Sequence, residues 1–141
     1  ALDFGADDVI DVSQQSLAEG VGQITKDAMA DIVIVGPNSA DVMSQGIRCV
    51  ARGGTVVFFT PAKPGEMLQI DPNDLYFRDV SIVTSYSCGP DDTAQALRFI
   101  GNGVVTADKL VTHRFPIEET EKAYRLTAEA GASLKSLIVF P

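Results

Sequence analysis

The sequence is short of the residues from which metal sites and disulfide frameworks are built. Among its 141 residues it has two cysteines, Cys49 and Cys88, one histidine, His113, and no tryptophan. A zinc site needs several closely spaced cysteine, histidine or acidic ligands, so we expect no metal centre in this chain. Two distant cysteines in a chain long enough to form its own core favour reduced thiols and a cytoplasmic protein.

Long apolar stretches and clustered basic residues are also missing. No apolar run approaches the roughly 20 residues of a membrane-spanning helix, and the first residues lack the basic segment of a signal peptide. The chain has 19 acidic and 11 basic residues, a net charge of −8, and its basic residues are scattered singly. Nucleic acids and anionic membranes require a basic surface, so we expect neither as a partner.

A glycine-rich phosphate loop is the most informative absence. Apolar segments of strand length alternate with helical segments, as in the doubly wound, parallel α/β domains that bind dinucleotides. Such domains have a G-x-G-x-x-G turn after their first strand. Gly20 and Gly22 have the first spacing, but Thr25 stands in place of the third glycine and no strand directly precedes them. The sequence therefore predicts a partial Rossmann-type sheet without the turn that binds the pyrophosphate.

Four apolar segments predict strands three to six of such a sheet, buried on both faces because their apolar residues do not alternate. These segments are Asp8–Val12, Asp31–Val35, Thr55–Phe59 and Asp79–Ser85. We expect Gly53-Gly54 to turn the chain into the third segment. In the strand order 3-2-1-4-5-6, the first segment has no neighbour in this chain and the second exposes a bare edge.

Helical segments are expected between and after these strands, because their apolar residues recur at helical spacing. The predicted helices are Leu17–Met29, Ala40–Val50, Asp92–Asn102 and Ile117–Ala130, and Ala1–Gly5 resembles the end of another. The remaining predicted strands are Leu110–Phe115, Leu137–Phe140 and an edge strand at Met67–Ile70. We expect residues 1–85 to form the partial dinucleotide-binding domain and residues 86–141 to form a second segment.

An ordered series of short motifs gives the sequence a family resemblance. In order they are G-A-D at residues 5–7, A-D-I-V-I-V-G at 30–36, G-G-T-V-V at 53–57, D-P at 71–72, T-H-R-F-P at 112–116 and L-K at 134–135. Together they resemble the C-terminal part of medium-chain, zinc-type alcohol dehydrogenases, and the sorbitol and threonine dehydrogenase branch is the most similar. The resemblance implies an oxidoreductase that transfers a hydride between an alcohol or polyol and NAD or NADP.

The resemblance also implies where this chain meets the cofactor. Backbone groups at Phe58 and Thr60, and again at Thr84 and Tyr86, correspond to the family's contacts with the nicotinamide. Gly36 corresponds to a turn that lies against the cofactor. Lys135 falls where the family often has a basic residue near the pyrophosphate, which suits a cation; the alternative is an ordinary surface lysine.

Other parts of the family's machinery are expected outside this chain. The zinc ligands, and the acidic residue that separates NAD from NADP, lie upstream of the segment that resembles this one, so we expect no catalytic residue here. Zinc acts in the family as a Lewis acid on the alcohol oxygen. Residues 86–141 resemble the part that packs on the catalytic domain. Met67–Ile70 resembles a strand that pairs across a two-fold axis, which implies a homodimer or a dimer of dimers.

Two other functional classes stay open. A zinc-free quinone or enoyl reductase of the same superfamily would lack zinc ligands in the preceding domain. A truncated chain that dimerises without catalysis would bind no cofactor. Two single residues are open as well, since His113 is either a structural residue or a proton relay and Cys88 is either an inert thiol or a reactive one.

Overall fold

A three-stranded parallel sheet forms the centre of the first of two units, Ala1–Ser87, and the second unit is Cys88–Pro141. The computed structural model describes residues 1–129 and 131–141. The strands are β1 (Ala30–Val35), β2 (Val50–Phe58) and β3 (Ser81–Thr84), adjacent in that order. They correspond to three of the four strands expected in this sheet. The mixed α/β fold with parallel strands is therefore confirmed.

The same unit contains three helices, α1 (Leu17–Thr25), α2 (Ala40–Cys49) and α3 (Pro72–Arg78), and α1 packs against α2. The hydroxyl of Ser16 caps α1 by accepting a hydrogen bond from the Glu19 N–H at 3.2 Å. This helix ends before the expected Met29, because Lys26, Asp27 and Met29 all have positive φ angles. Left-handed backbone cannot continue a right-handed helix.

The core of this unit lies between α2 and one face of the sheet. Its buried side chains are Val35, Met43, Ile47, Val50 and Val56. Gly46 in α2 allows this close contact, because a Cβ built there would lie 2.6 Å from Cγ2 of Val35. The glycine that lowers the helix propensity of this segment is thus the residue that lets α2 approach the sheet.

Helix α3 is anchored to the same layer. Asp71 caps it by accepting a hydrogen bond from the Asn73 N–H at 2.9 Å, and Pro72 occupies its first position, as suits a residue without an N–H. The Arg78 guanidinium donates to the backbone oxygens of Ile47 and Val50 at 3.1 and 2.9 Å. These bonds tie the helix that precedes β3 to the junction between α2 and β2.

The edge of β1 is bare, as the strand order predicts, but one face of this strand is open as well, so the expectation that both faces are buried is wrong for β1. β1 lies at the edge of the sheet, and the side chains of Ile32 and Ile34 are 66% and 68% exposed. Both residues alternate with the buried Val35 along the strand, so they share the face that α2 does not cover.

The expected strand at Asp8–Val12 is wrong. This segment pairs with no strand among the described residues, and a strand requires a neighbour for its backbone groups. Instead, the Asp11 carboxylate accepts hydrogen bonds from the Ser13 hydroxyl at 2.7 Å and the Ser13 N–H at 2.9 Å. These bonds lower the pKa of Asp11 and turn the chain. Ile10 packs beside Gly20 of α1.

Two further local expectations are also wrong. Gly53-Gly54 lies inside β2 and does not form a turn before it. The pairing of β1 with β2 shifts register between Ala30 and Ile32, and Gly53 has a φ of 73° at this irregularity. Met67–Ile70 has no strand partner within the described chain and is irregular.

The second unit contains a parallel pair of strands, β4 (Val111–Pro116) and β5 (Lys135–Val139). Its helices are α4 (Pro90–Gly101), α5 (Ala107–Leu110) and α6 (Thr120–Ala128). Ala123 of α6 and Phe115 of β4 are buried. The expected helix from Ile117 begins instead with a 3-10 turn, and Ala130 lies outside the described residues. Within the described part of the chain, no helix is both long and apolar enough to span a lipid bilayer.

The unpaired segment predicts uneven protection from hydrogen exchange in the isolated 141-residue chain. Amides of residues 8–12 should exchange rapidly because no neighbouring strand accepts hydrogen bonds from their N–H groups, whereas the amide of Val56 in the middle strand should stay protected. Mass-spectrometric hydrogen–deuterium exchange measures both segments in one experiment. Full protection of residues 8–12 would contradict this description of the fold.

Candidate functional site

The carboxyl ends of the three strands lie side by side in the first unit. Val35, the last residue of β1, pairs with Phe58, the last of β2, and Phe58 pairs with Thr84, the last of β3. The ladder continues for one more residue on each side. The Phe59 N–H donates to the Val35 oxygen, and the Ser85 N–H donates to the Phe58 oxygen, both at 3.0 Å.

This alignment brings together five of the six residues selected from the sequence. Phe58 and Thr84 end their strands, Gly36 follows β1 directly, and Thr60 and Tyr86 lie two residues beyond β2 and β3. They come from three separate stretches of sequence and meet at one edge because parallel strands end together.

Side chains at this edge differ in their surroundings. Phe58 is half-buried and packs against the core. Tyr86 is 96% exposed, so it is not a core residue of the described chain. Thr84 is exposed as well. What these residues share is therefore the position of their backbone at this edge of the sheet, and the contacts with the nicotinamide stay a prediction.

A cleft of about 520 Å³ opens beside the ends of β1 and β2; we call it the strand-end cleft. It is lined by residues 36–38 and 60–64. The Thr60 hydroxyl donates to the Gly36 oxygen at 2.5 Å and ties the two turns together. A Cβ built at Gly36 meets no protein atom within 4 Å. The cleft therefore has room for a group that approaches the backbone closely.

Lys135, the sixth selected residue, belongs to the second unit. It begins β5, its side chain is exposed, and its backbone oxygen accepts a hydrogen bond from the Thr112 hydroxyl at 3.3 Å. The contact with the pyrophosphate stays a prediction.

His113 and the cysteines have ordinary surroundings. The His113 ring stacks on Phe115 with 6.2 Å between ring centroids, and its Nδ1 lies 3.0 Å from the Thr112 hydroxyl. These contacts support the structural interpretation of His113. Cys88 is exposed and Cys49 is buried, and both are free thiols. Burial raises the pKa of Cys49, which makes its reactive thiolate scarcer.

Sequence reasoning overlooked part of the cleft wall. Pro37 and Asn38 belong to the turn that the family resemblance already places against the cofactor, whereas Lys63 lines the cleft from a turn without periodic patterning. The two prolines that flank Lys63, Pro61 and Pro64, were the available signal, because they restrict the backbone of this turn. Over residues 1–129 and 131–141, no group of three or more histidine, cysteine or acidic residues is placed to hold a metal ion.

Comparison with known families decides the assignment. Residues 1–102 match the family described as zinc-binding dehydrogenase. The chain belongs to this zinc-binding dehydrogenase family. The match includes β1, β2 and β3 and all three turns at the strand ends.

Curated relatives of this family member include proteins named sorbitol dehydrogenase and L-threonine 3-dehydrogenase. It is 28% identical over 142 aligned residues to sorbitol dehydrogenase of Halalkalibacterium halodurans, covering 98% of this chain and 40% of that protein. It is 30% identical over 129 residues to L-threonine 3-dehydrogenase of Bacillus licheniformis, covering 89% of this chain and 36% of that one. The chain thus spans about 40% of the length of such relatives.

Solved structures share the fold. A protein of Sinorhizobium meliloti, assigned as a zinc-binding dehydrogenase and bound to NADP, superposes with a TM-score of 0.86 at 26% identity. The superposition covers 96% of this chain and 40% of that one.

The geometry around Gly36 and Gly46 predicts that the same substitution affects stability at only one of the two positions. Gly36→Ala should leave thermal stability unchanged, because the new methyl group enters open space. Gly46→Ala should lower the free energy of unfolding by about 1–2 kcal/mol, because stiff Val35 must move from its packed position. Thermal unfolding of both variants beside the unsubstituted protein measures this difference. Equal stability of the two variants would contradict the close packing of α2 on the sheet.

Proposed function

We propose that this chain supplies the nicotinamide side of the cofactor site in a zinc-type, NAD(P)-dependent alcohol or polyol dehydrogenase. The observation that carries the proposal is the register that ends β1, β2 and β3 together. Ligands of open parallel sheets bind outside the carboxyl ends of the strands. The family assignment and the NADP-bound relative support the choice of cofactor.

The strand-end cleft suits the flat carboxamide end of a dinucleotide. In our proposal, the nicotinamide meets Thr60 and Gly36 in this cleft, where Gly36 leaves space for its close approach. Backbone groups of Phe58, Thr84 and Tyr86 hold it from the adjoining strand ends. When bound, the nicotinamide ring accepts a hydride from the alcohol carbon or returns one. The residues of this chain bind and orient the ring, and we assign none of them a catalytic role.

The rest of the site belongs to the longer protein in this proposal. Zinc ligands and the G-x-G-x-x-G turn come from the part that this chain does not contain. Residues 86–141 pack on the catalytic domain, and Lys135 approaches the pyrophosphate. In this proposal the substrate is a small alcohol or polyol. The protein is cytoplasmic, a location that the two free cysteine thiols support.

One alternative shares the fold and differs in the metal. A zinc-free quinone or enoyl reductase would bind the nicotinamide at the same strand ends. The names of the curated relatives, sorbitol dehydrogenase and L-threonine 3-dehydrogenase, favour the zinc-type enzyme. A non-catalytic dimerisation module is the second alternative, and cofactor binding separates it from both enzymes.

Gly36→Val tests the cofactor site in the full-length protein. The substitution places two methyl groups in the strand-end cleft, so the dissociation constant for NADH or NADPH should rise about tenfold or more, which corresponds to about 1.4 kcal/mol. Gly36→Ala is the matched control with a smaller group at the same position. Fluorescence titration of the reduced cofactor gives both constants.

Activity assays of the same protein separate the classes. Oxidation of a panel of polyols and secondary alcohols with NAD and NADP should be lost on removing zinc with a chelator and return on adding it. Activity on quinones or enones that survives zinc removal would replace the proposal with the zinc-free reductase. If the unsubstituted protein binds no cofactor, both enzyme classes are excluded and the non-catalytic dimerisation module is the remaining alternative.

We also propose that Met67–Ile70 is an interface between two copies of this chain. The side chains of Met67 and Ile70 are 81% and 46% exposed, and the segment has no strand partner among the described residues. Tyr76 and Phe77 of the neighbouring helix are 79% and 69% exposed. An exposed apolar segment without a partner is typical of an association surface.

Met67→Asp should weaken this association. A two-fold axis would place the two new carboxylates near each other, while Met67→Leu keeps the apolar surface and is the matched control. Sedimentation velocity over a range of concentrations measures the mass of each variant. If Met67→Asp retains the same oligomeric mass as Met67→Leu, the interface lies elsewhere.

A further inference from the structure

The Glu66 carboxylate joins two segments that are far apart in sequence. Its Oε1 accepts a hydrogen bond from the Ala40 N–H at 3.2 Å, and its Oε2 accepts one from the Lys63 N–H at 3.2 Å. The Glu66 N–H donates in turn to the Lys63 oxygen at 3.0 Å. The turn at residues 63–66 is therefore closed by two bonds and attached to α2 by a third.

The position of Ala40 makes this attachment more than an incidental contact. Ala40 is the buried first residue of α2, and the preceding Ser39 makes no side-chain cap to the helix. The first N–H groups of a helix need acceptors from outside it, and a carboxylate there also interacts favourably with the helix dipole. Glu66 supplies that acceptor from the turn after β2.

One of the segments that Glu66 holds, the turn that includes Lys63, is a wall of the strand-end cleft, and the other, the start of α2 at Ala40, directly follows the opposite wall at residues 36–38. Thr60 joins the two walls near the sheet by donating to the Gly36 oxygen, and Glu66 attaches the second wall to the start of α2. Between these points, Pro61 and Pro64 have no N–H to donate. The wall at residues 60–64 thus depends on a small set of hydrogen bonds, of which Glu66 accepts two.

We propose that Glu66 is a positioning residue for the nicotinamide end of the cofactor, an inference that rests on the proposed function of this cleft. Its carboxylate holds the 60–64 turn at a fixed distance from Gly36 and α2. The turn is then ordered before the cofactor arrives, so binding does not include the cost of ordering it. Glu66 itself touches neither cofactor nor substrate in this role.

The test uses Glu66→Ala and Glu66→Gln in the full-length protein, with Asp41→Ala as the control. Asp41 lies in the first turn of the same helix, so its carboxylate shares the favourable interaction with the helix dipole. Among the described residues it makes no hydrogen bond to the 60–64 turn. If Glu66 acts only through its charge at the start of the helix, Asp41→Ala should therefore have the same effect as Glu66→Ala.

Two measurements are made on each variant. In the absence of cofactor, hydrogen–deuterium exchange reports the order of residues 60–66. Titration then gives the dissociation constant for NADH and NADPH. Glu66→Ala should speed exchange of these amides and raise the constant about three- to tenfold, in line with the loss of charge-assisted capping bonds. For Glu66→Gln, the exchange rate and the dissociation constant should lie between those of the unsubstituted protein and Glu66→Ala, since the amide oxygen of glutamine still accepts a hydrogen bond from one N–H.

The outcomes separate this inference from the function beneath it. If the unsubstituted protein binds the cofactor and Glu66→Ala binds it as tightly, Glu66 has no positioning role. If Asp41→Ala weakens binding as much as Glu66→Ala, the effect is a general one on α2 and the inference is wrong. If the unsubstituted protein binds neither NADH nor NADPH, the proposed function fails and the inference with it.

Discussion

The register of three parallel strands is the constraint on which the rest of the first unit depends. It ends β1, β2 and β3 at paired residues, so the turns that follow them start from one edge. Packing of α2 fixes this register, because its buried side chains fit Val35 and Val56 closely and Gly46 admits the helix. A slip of one residue in β2 would move its core residues to the open face and separate the strand ends.

Much of this arrangement could be predicted from the sequence, and the reasons are local. β1 and the second half of β2 are continuous apolar runs, which indicate strands, although the further expectation that both faces of β1 are covered is wrong. Since parallel strands end at the same edge, the residues that follow them could be grouped from the order of the strands alone. The 3-10 turn at Leu2–Phe4, with Gly5 in the left-handed conformation, was visible as a helix end.

The errors share a different cause, which is dependence on a distant partner. Asp8–Val12 has the composition of a strand but no neighbour among the described residues, so Asp11 forms a local turn with Ser13. Gly53-Gly54 has the composition of a turn, yet it lies inside β2, at the irregularity between the paired residues Val50 and Thr55. The contacts of Glu66 could not be predicted from local sequence, because one of them is a hydrogen bond from Ala40, 26 residues away.

The open face of β1 connects the fold to the proposed function. Ile32 and Ile34 lie on a face that nothing in the described first unit covers, and the chain spans about 40% of the length of relatives such as the sorbitol dehydrogenase.

Cofactor footprinting by hydrogen exchange in the full-length protein tests the proposed cofactor site most directly. NADH or NADPH should protect residues 36–38, 58–62 and 84–86 together. Protection elsewhere in the protein, with these three strand ends unchanged, would contradict it.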